Sequence, residues 1–227
     1  LAAEGARVAF CARGADGVQA AEAELRASGA DVAGTAVDVA DGAAVASWVD
    51  DTARRFGQID AVVANVSALA IGPGEQNWRS SFEVDLMHTV HLVEAAQPHL
   101  ERSDAASVTA VSSVSGREID FADGSYGVMK AALVHYVSGL AFDLAPKGIR
   151  ANAVSPGNVY FDGGTWQNVE QTNTELFDHV MGLNPTGRMG DPTETAYAVV
   201  MLVSPLASRI SGTNLVVDGA LTRGVQL

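Results

Sequence analysis

Cysteine is almost absent from this chain of 227 residues, because Cys11 is the only one. A single cysteine cannot form an internal disulfide, so a disulfide-stabilised extracellular framework is excluded and a reducing compartment is favoured. Cys11 lies in an apolar run, where a thiol is more often a small core side chain than a nucleophile. We therefore expect a cytoplasmic protein.

Positive charge is also scarce. The chain has 14 Lys and Arg against 27 Asp and Glu, which gives a formal net charge of −13, and the basic residues are scattered. Nucleic acids and anionic membrane surfaces both attract clustered basic residues, so neither is expected as a partner. The five histidines show no metal-ligand spacing, and no metal site is expected.

Long apolar runs are missing as well. No uninterrupted apolar stretch approaches the about 20 residues of a membrane span, and the first residues carry no signal-peptide pattern. Hydrophobic residues make up 48% of the chain and charged residues 18%, which is typical of a globular protein. A chain of this length fits one domain, here residues 1–227.

Predicted strands and helices alternate along this domain. The predicted strands are 7–11, 32–37, 59–64, 107–113, 150–154 and 215–217, and the predicted helices are 17–27, 41–55, 76–100, 125–144 and 193–203. Such alternation predicts an α/β fold, a doubly wound (Rossmann-like) parallel sheet with helices on both faces. Residues 158–190 lack a clean strand and contain one possible helix at 173–181. They are interpreted as a lid over a substrate site, with a plain surface insertion as the alternative.

Tyr126 and Lys130 are four residues apart in a predicted helix, so their side chains share a face. An ammonium beside a phenol favours the phenolate and is expected to lower the tyrosine pKa. Such a tyrosine can exchange a proton with an alcohol or ketone oxygen. Ser113 precedes Tyr126 by thirteen residues (126 − 113 = 13) and ends a predicted strand, where open α/β sheets bind ligands.

Several separated motifs, in order, resemble the short-chain dehydrogenase/reductase family of the so-called classical type. Besides the Ser, Tyr and Lys set, they are Arg7–Arg13, Asp38-Val39, Asp60–Asn65, Arg150–Gly157, Arg188-Met189-Gly190 and Val217-Asp218-Gly219. The resemblance covers essentially the whole chain. It implies that Tyr126 is the general acid and base, that Lys130 also holds the nicotinamide ribose, and that Ser113 orients the substrate oxygen.

The resemblance also implies a nicotinamide cofactor. NAD-binding members place a carboxylate at the end of the strand that Ala12 ends here, whereas the guanidinium of Arg13 can pair with a 2′-phosphate, so NADP is favoured over NAD. The implied cofactor-binding positions are Arg13, Asp38, Val39, Asn65, Tyr126, Lys130, Pro156 and Gly157.

Two departures from the family pattern bear on the site. Asp85 stands where the family usually has an asparagine that helps hold a water chain to the lysine, so it joins the catalytic set; a carboxylate only accepts hydrogen bonds and carries charge. The family also begins with a strand and a glycine-rich turn that are missing here. That strand lies between the strands predicted at 7–11 and 59–64, so we expect two strand edges without a partner, a longer natural protein, and negligible dinucleotide affinity for a polypeptide that begins at Leu1.

The expected function is hydride transfer between NADP(H) and a small-molecule carbonyl or secondary alcohol, in a homotetramer or homodimer that packs helices 76–100 and 125–144. Two other reactions of the family are disfavoured. Epimerases and dehydratases have a larger C-terminal region than this chain, and enoyl reductases space their Tyr and Lys more widely. A non-catalytic cofactor-binding or oligomer-scaffold protein of the same fold is the remaining alternative. Four aromatic residues line an apolar pocket or fill the core: Phe121, Phe161, Trp166 and Phe177.

Overall fold

The computed structural model describes residues 1–122 and 124–224. Its strands are β1 (Val8–Ala12), β2 (Val32–Ala36), β3 (Ala61–Ala64), β4 (Ser107–Val111), β5 (Arg150–Pro156) and β6 (Asn214–Val217). Its α-helices are α1 (Ala15–Ala27), α2 (Gly42–Phe56), α3 (Glu75–Ser80), α4 (His88–Leu100), α5 (Ser125–Leu144), α6 (Thr165–Thr172), α7 (Thr174–Leu183) and α8 (Pro192–Val203). Strands and helices alternate as predicted.

Every strand pair in the described residues is parallel. β1 pairs with β2, while β3, β4, β5 and β6 pair in that order. Strand side chains alternate between two cores: Val62 and Val108 face the core that holds α2, α4 and α5, whereas Val63 and Val154 pack with α8. Because successive strand residues point to opposite faces, helices cover both faces of the sheet, and the doubly wound fold is confirmed.

A cleft of about 600 Å³ separates β1 from β3. Strand residues from both sides line it, including Cys11 and Val62. The sheet is therefore divided at the place where the resemblance implies a central strand. Burial raises the pKa of Cys11 to about 11, in keeping with a structural thiol.

The long helix predicted at 76–100 is three consecutive segments. A π-helical stretch, Ser81–Met87, joins α3 to α4. π-Turns inside α-helices are rare and frequent at functional sites, and this one carries Asp85. Helix α5 has the predicted bounds, and Asp41 caps α2 by accepting the N–H groups of Ala43 and Ala44.

Residues 158–190 contain one helix that the sequence did not indicate, α6, in addition to α7. The pair has a small core of its own, built on Trp166, Val180 and Met189. A short parallel bridge between Val159 and Gly190 holds the two ends of this segment together.

The stretch Ser125–Lys147, which is α5 with a 3₁₀ extension, is long and apolar enough by length and composition to span a membrane (23 residues, mean hydropathy 1.3). This differs from the expectation drawn from uninterrupted apolar runs, because the average tolerates an isolated Lys130. Leu133 and Val137 of α5 are buried in the core against the sheet, which is also how a core helix of a globular domain is placed.

Candidate active site

Ser113 lies just after β4, which ends two residues earlier than predicted. Its Oγ accepts the N–H of Ser115 at 3.2 Å and caps the 3₁₀ turn Val114–Gly116. Two glycines let this loop lie directly on α5. A Cβ on Gly116 would be 2.7 Å from the backbone carbon of Lys130, and one on Gly127 would be 2.8 Å from the carbonyl oxygen of Ser115. Close backbone packing therefore fixes Ser113 relative to α5.

Tyr126 and Lys130 meet on the face of α5 that the spacing predicts. Lys130 Nζ lies 5.6 Å from the centroid of the Tyr126 ring, a cation–π distance. The ammonium is 2% exposed and donates to the carbonyl of Val111 at 3.0 Å. The end of β4 therefore holds the lysine beside the phenol.

Asp85 is completely buried, and its Oδ1 lies 3.4 Å from Lys130 Nζ. The contact is an ion pair without hydrogen-bond geometry, so neither carboxylate oxygen accepts a hydrogen bond from the described residues. Asp85 therefore faces the lysine directly, through its side chain.

The pKa of Tyr126 is raised, opposite to the direction expected from its spacing to Lys130. Burial of the phenol is the largest cause; a hydrogen bond from Ser113 lowers the pKa, and the charges of Asp85 and Asp120 raise it. Burial likewise lowers the pKa of Lys130, while Asp85 raises it. The spacing could not reveal that desolvation and two carboxylates raise this pKa.

Two of the proposed cofactor residues, Arg13 and Val39, line an apolar pocket near the ends of β1 and β2. Its volume is about 330 Å³, and it is lined by Ala12, Arg13, Gly14, Val37, Val39 and Val66. Arg13 is exposed, and within residues 1–122 and 124–224 it forms no ion pair. An apolar pocket with an unpaired guanidinium at its edge suits an adenosine that carries a phosphate.

The other proposed cofactor residues do not line this pocket. Asp38 is exposed and accepts the N–H of Ala40 at 3.1 Å, while Asn65 is exposed and lines the cleft between β1 and β3. Pro156 ends β5, and Gly157 follows so close to Asp218 that a Cβ would be 2.8 Å from that side chain.

Two residues that the sequence did not single out belong to the site. Ser115 Oγ donates to Asp120 Oδ2 at 2.7 Å and lies 3.3 Å from Ser113 Oγ. Both precede Tyr126 in an irregular loop, where no periodicity could indicate their contacts.

The aromatic residues divide into two groups. Phe121 makes an edge-to-face contact with Trp166, with ring centroids 5.4 Å apart, and so joins the loop before Tyr126 to α6. Phe177 instead packs on Tyr160 within the 158–190 segment. Phe161 is about half exposed and lies against Gly164.

A phenol, an ammonium and a hydroxyl at the carboxyl end of a doubly wound parallel sheet define an oxidoreductase of the Rossmann-like class. A family model described as "Enoyl-(Acyl carrier protein) reductase" matches residues 1–222. Isoepoxydon dehydrogenase patN from Penicillium expansum is 44% identical over 194 residues, which cover 85% of this chain and 75% of that protein.

Solved structures agree with these matches. An NADPH-bound short chain oxidoreductase from Pseudomonas aeruginosa PAO1, with an atypical catalytic center, superimposes with a TM-score of 0.86 at 29% identity, covering 97% of this chain and 89% of its own. A 7α-hydroxysteroid dehydrogenase complexed with NADH and 7-oxo glycochenodeoxycholic acid gives 0.89 at 26% identity, covering 96% and 86%. The chain belongs to the short-chain dehydrogenase/reductase family and is an oxidoreductase that acts on CH–OH or C=O groups.

Proposed function

We propose that this protein transfers a hydride reversibly between NADP(H) and a carbonyl or secondary alcohol, with Tyr126 as the residue that moves the proton. The observation that carries the proposal is the convergence of Tyr126, Lys130 and Ser113 at the end of β4. In reduction Tyr126 donates its phenolic proton to the substrate oxygen, and in oxidation the phenolate accepts it.

The raised pKa of Tyr126 suits the reductive direction near neutral pH. A phenol buried beside Asp85 and Asp120 remains protonated there and is ready to donate. Oxidation needs the phenolate, so its rate is expected to rise with pH until Tyr126 is deprotonated.

Lys130 has an N–H donor left for the nicotinamide ribose. An ammonium has three N–H donors. One is used by the carbonyl of Val111 and one faces Asp85, which leaves one for a ribose hydroxyl. Bound in this way, Lys130 fixes the position of the ribose relative to Tyr126.

NADP is the proposed cofactor because the pocket of Ala12, Arg13 and Val39 supplies apolar walls and a guanidinium but no carboxylate. When bound, NADP(H) supplies or accepts the hydride. The solved relatives are an NADPH complex in one case and an NADH complex in the other, so the preference rests on Arg13.

The substrate is proposed to lie beneath residues 158–190, which act as its lid. The contact between Phe121 and Trp166 supports this, because it links the segment to the loop that precedes Tyr126. Isoepoxydon is the first candidate substrate, since the matched relative from Penicillium expansum is named for its oxidation.

A turnover assay tests the proposal. NADPH oxidation would be followed with a panel of ketones, and NADP reduction with isoepoxydon. Tyr126→Phe should lower kcat by at least about 100-fold while cofactor binding persists, because only the proton donor is lost. A fully active Tyr126→Phe variant would refute the role of Tyr126.

Cofactor preference has a separate test. Arg13→Ala should weaken NADPH binding about tenfold or more and leave NADH binding unchanged, because a charge-assisted hydrogen bond to the 2′-phosphate is lost. The exposed Arg209 lies outside the pocket, so Arg209→Ala is the matched control. Equal losses for NADPH and NADH would contradict the assignment.

We further propose that the protein is a cytoplasmic homotetramer or homodimer that associates through α5. Exposed residues at helical spacing form one face of this helix: Val128, Ala131, His135, Ser138 and Phe142. A second copy of the chain would cover its apolar members, which supports self-association.

A further inference from the structure

A chain of hydrogen bonds leads from Ser113 to a carboxylate that the proposed reaction does not use. Ser113 Oγ donates to Ser115 Oγ at 3.3 Å, and Ser115 Oγ donates to Asp120 Oδ2 at 2.7 Å. The other carboxylate oxygen, Asp120 Oδ1, accepts the N–H of Ala122 at 2.8 Å. Asp120 forms no ion pair with residues 1–122 or 124–224.

We propose that Ser115 and Asp120 are positioning residues that set the direction of the Ser113 hydroxyl, and so control how readily Ser113 donates to Tyr126 and to the substrate oxygen. The inference rests on the proposed function for the catalytic role of Ser113. The hydrogen-bond chain itself does not depend on that role.

An ionised carboxylate only accepts, so the hydrogen of Ser115 points at Asp120 and the Ser115 oxygen is left as an acceptor. Ser113 has a single hydroxyl hydrogen, which points to the Ser115 oxygen in this structure. Donation of the same hydrogen to Tyr126 is what lowers the tyrosine pKa, so the two acceptors compete for it. Because the Ser113–Ser115 link is the long one, at 3.3 Å, the hydroxyl can turn between the two partners.

Three charged groups face Tyr126, each from a different element. Asp85 lies on the π-helical stretch, Lys130 on α5 itself, and Asp120 on the loop after β4. The charge of Asp120 raises the pKa of Tyr126, and the competition for the Ser113 hydrogen acts in the same direction. Asp120 therefore favours the protonated phenol in two ways.

Asp120→Asn should reverse the direction of donation along the hydrogen bonds that join Asp120, Ser115 and Ser113. The N–H of Ala122 needs an acceptor at the Oδ1 position, so the amide oxygen stays there and the NH₂ group faces Ser115. Ser115 then turns its hydrogen toward Ser113, whose own hydrogen is free for Tyr126. The lost charge and the reversed chain both stabilise the phenolate.

The test is a titration of Tyr126 that needs no substrate. The tyrosinate absorbance of each variant would be recorded against pH, with the same variant carrying Tyr126→Phe subtracted, and circular dichroism would verify the fold at each pH. Asp120→Asn should move the midpoint to lower pH and raise the phenolate fraction severalfold below the wild-type midpoint. An unchanged or higher midpoint would overturn the proposal.

Ser115→Ala separates the effect of the hydrogen-bond chain on the Tyr126 midpoint from the effect of the Asp120 charge. It cuts the link but keeps the Asp120 carboxylate, so the effect of Asp120→Asn should be smaller in the Ser115→Ala background than in the wild type. Equal effects in both backgrounds would show that only the charge acts and would overturn the positioning role. Glu118→Gln is the control: it neutralises a carboxylate of the same loop whose partners are the N–H groups of Arg223 and Gly224, and should leave the midpoint unchanged.

The titration also distinguishes this inference from the proposed function. If no carbonyl substrate is turned over but the Tyr126 midpoint responds as described, the hydrogen-bond chain stands and the proposed reaction fails. If turnover depends on Tyr126 but its midpoint ignores Asp120 and Ser115, the reaction stands and this inference fails. In an active enzyme, Asp120→Asn should also shift the pH profile of alcohol oxidation to lower pH.

Discussion

Lys130 is a buried ammonium, and Asp85 is the only carboxylate in the described residues that pairs with it. Burial lowers the pKa of Lys130 below its unfolded value, so the charged lysine destabilises the folded state near neutral pH. Asp85 acts against this by favouring the charged form. Without Asp85, the cost of the buried charge should depend on pH, because Lys130 can lose its proton.

Asp85→Asn should lower the free energy of unfolding by about 3 kcal/mol near neutral pH, since it leaves one charge buried without a partner. The loss should shrink as the pH rises toward the deprotonation of Lys130. Urea unfolding at several pH values measures it. In a Lys130→Met background the same substitution should cost nothing or stabilise, because it then removes an unpaired carboxylate. A loss that is independent of pH and equal in both backgrounds would contradict the ion pair.

His88 makes the fold sensitive to acid. It is almost fully buried, its Nδ1 has no hydrogen-bond partner in the described residues, and burial together with the charge of Lys130 lowers its pKa to about 4. Asp85 raises this pKa and the neighbouring His91 lowers it. The unfolded chain therefore binds a proton at a pH where the folded protein does not, and stability is lost as the pH falls from the unfolded value of 6.5 toward 4.

Lowering the pH from about 7 to about 5 should cost on the order of 2 kcal/mol through His88 alone. His88→Gln should remove that part of the pH dependence, and the exposed His179→Gln, outside α5, is the matched control. Urea midpoints of the three proteins at the two pH values decide the matter. An identical slope in the His88 variant would exclude this histidine as the cause.

At the scale of elements, helix α5 has apolar residues on two opposite sides, one buried against the sheet and one exposed. Leu133 and Val137 are buried against the sheet, whereas Phe142 is 84% exposed and Val128 is 46% exposed on the opposite face. A helix that is apolar all round is normally buried on every side. The monomer leaves one side of α5 uncovered, which a second copy would bury.

Phe142→Asp should therefore reduce the oligomeric state, because it places a charge in the proposed contact between copies. Size-exclusion chromatography with light scattering measures the mass. Leu206 is 95% exposed but lies outside α5, so Leu206→Asp is the matched control and should leave the assembly intact. A monomeric wild type, or a variant that keeps its mass, would contradict the proposed interface.

Elements that local sequence marks clearly were predictable, and those that depend on tertiary contacts were not. Helix α5 was predicted with its observed bounds because a long, mostly apolar stretch continues until Pro146, although its apolar residues do not favour one face. The π-helical stretch could not be recognised, since one widened turn hardly changes a helical pattern. Helix α6 was missed because Trp166 is its single buried residue in an otherwise polar stretch.

The site shows the same division. Spacing alone placed Tyr126 and Lys130 on one face, since this depends only on the helical repeat. The direction of the Tyr126 pKa depends on burial and on two carboxylates brought in by other elements, and no local pattern contains that information. The contact of Asp120 with Ser115 lies in an irregular loop and is visible only in three dimensions.

At the scale of the whole molecule, a cleft between β1 and β3 divides the sheet. The two sheets face each other across it with strand edges that have no partner among the described residues. Asn65 and Val39, both proposed to contact the cofactor, lie along this cleft. No backbone hydrogen bonds between described residues join β1 to β3 across the cleft, so the positions of Asn65 and Val39 relative to each other are weakly fixed. A cofactor that contacts both would lose binding free energy in fixing them.

Expressed on their own, residues 1–227 are accordingly expected to bind NADPH with a Kd well above about 1 μM, because the two strand edges along the cleft stay unpaired. Fusing an upstream segment with an apolar strand and a glycine-rich turn should fill the cleft, pair both edges, and raise both the urea midpoint and the NADPH affinity. Calorimetric titration and urea unfolding measure these effects. The matched control is a segment of equal length and hydrophobicity whose strand contains prolines, because proline cannot complete a ladder of hydrogen bonds in a central strand. Submicromolar NADPH binding without the segment, or an equal gain from the proline control, would show that a paired central strand is not what the cofactor site requires.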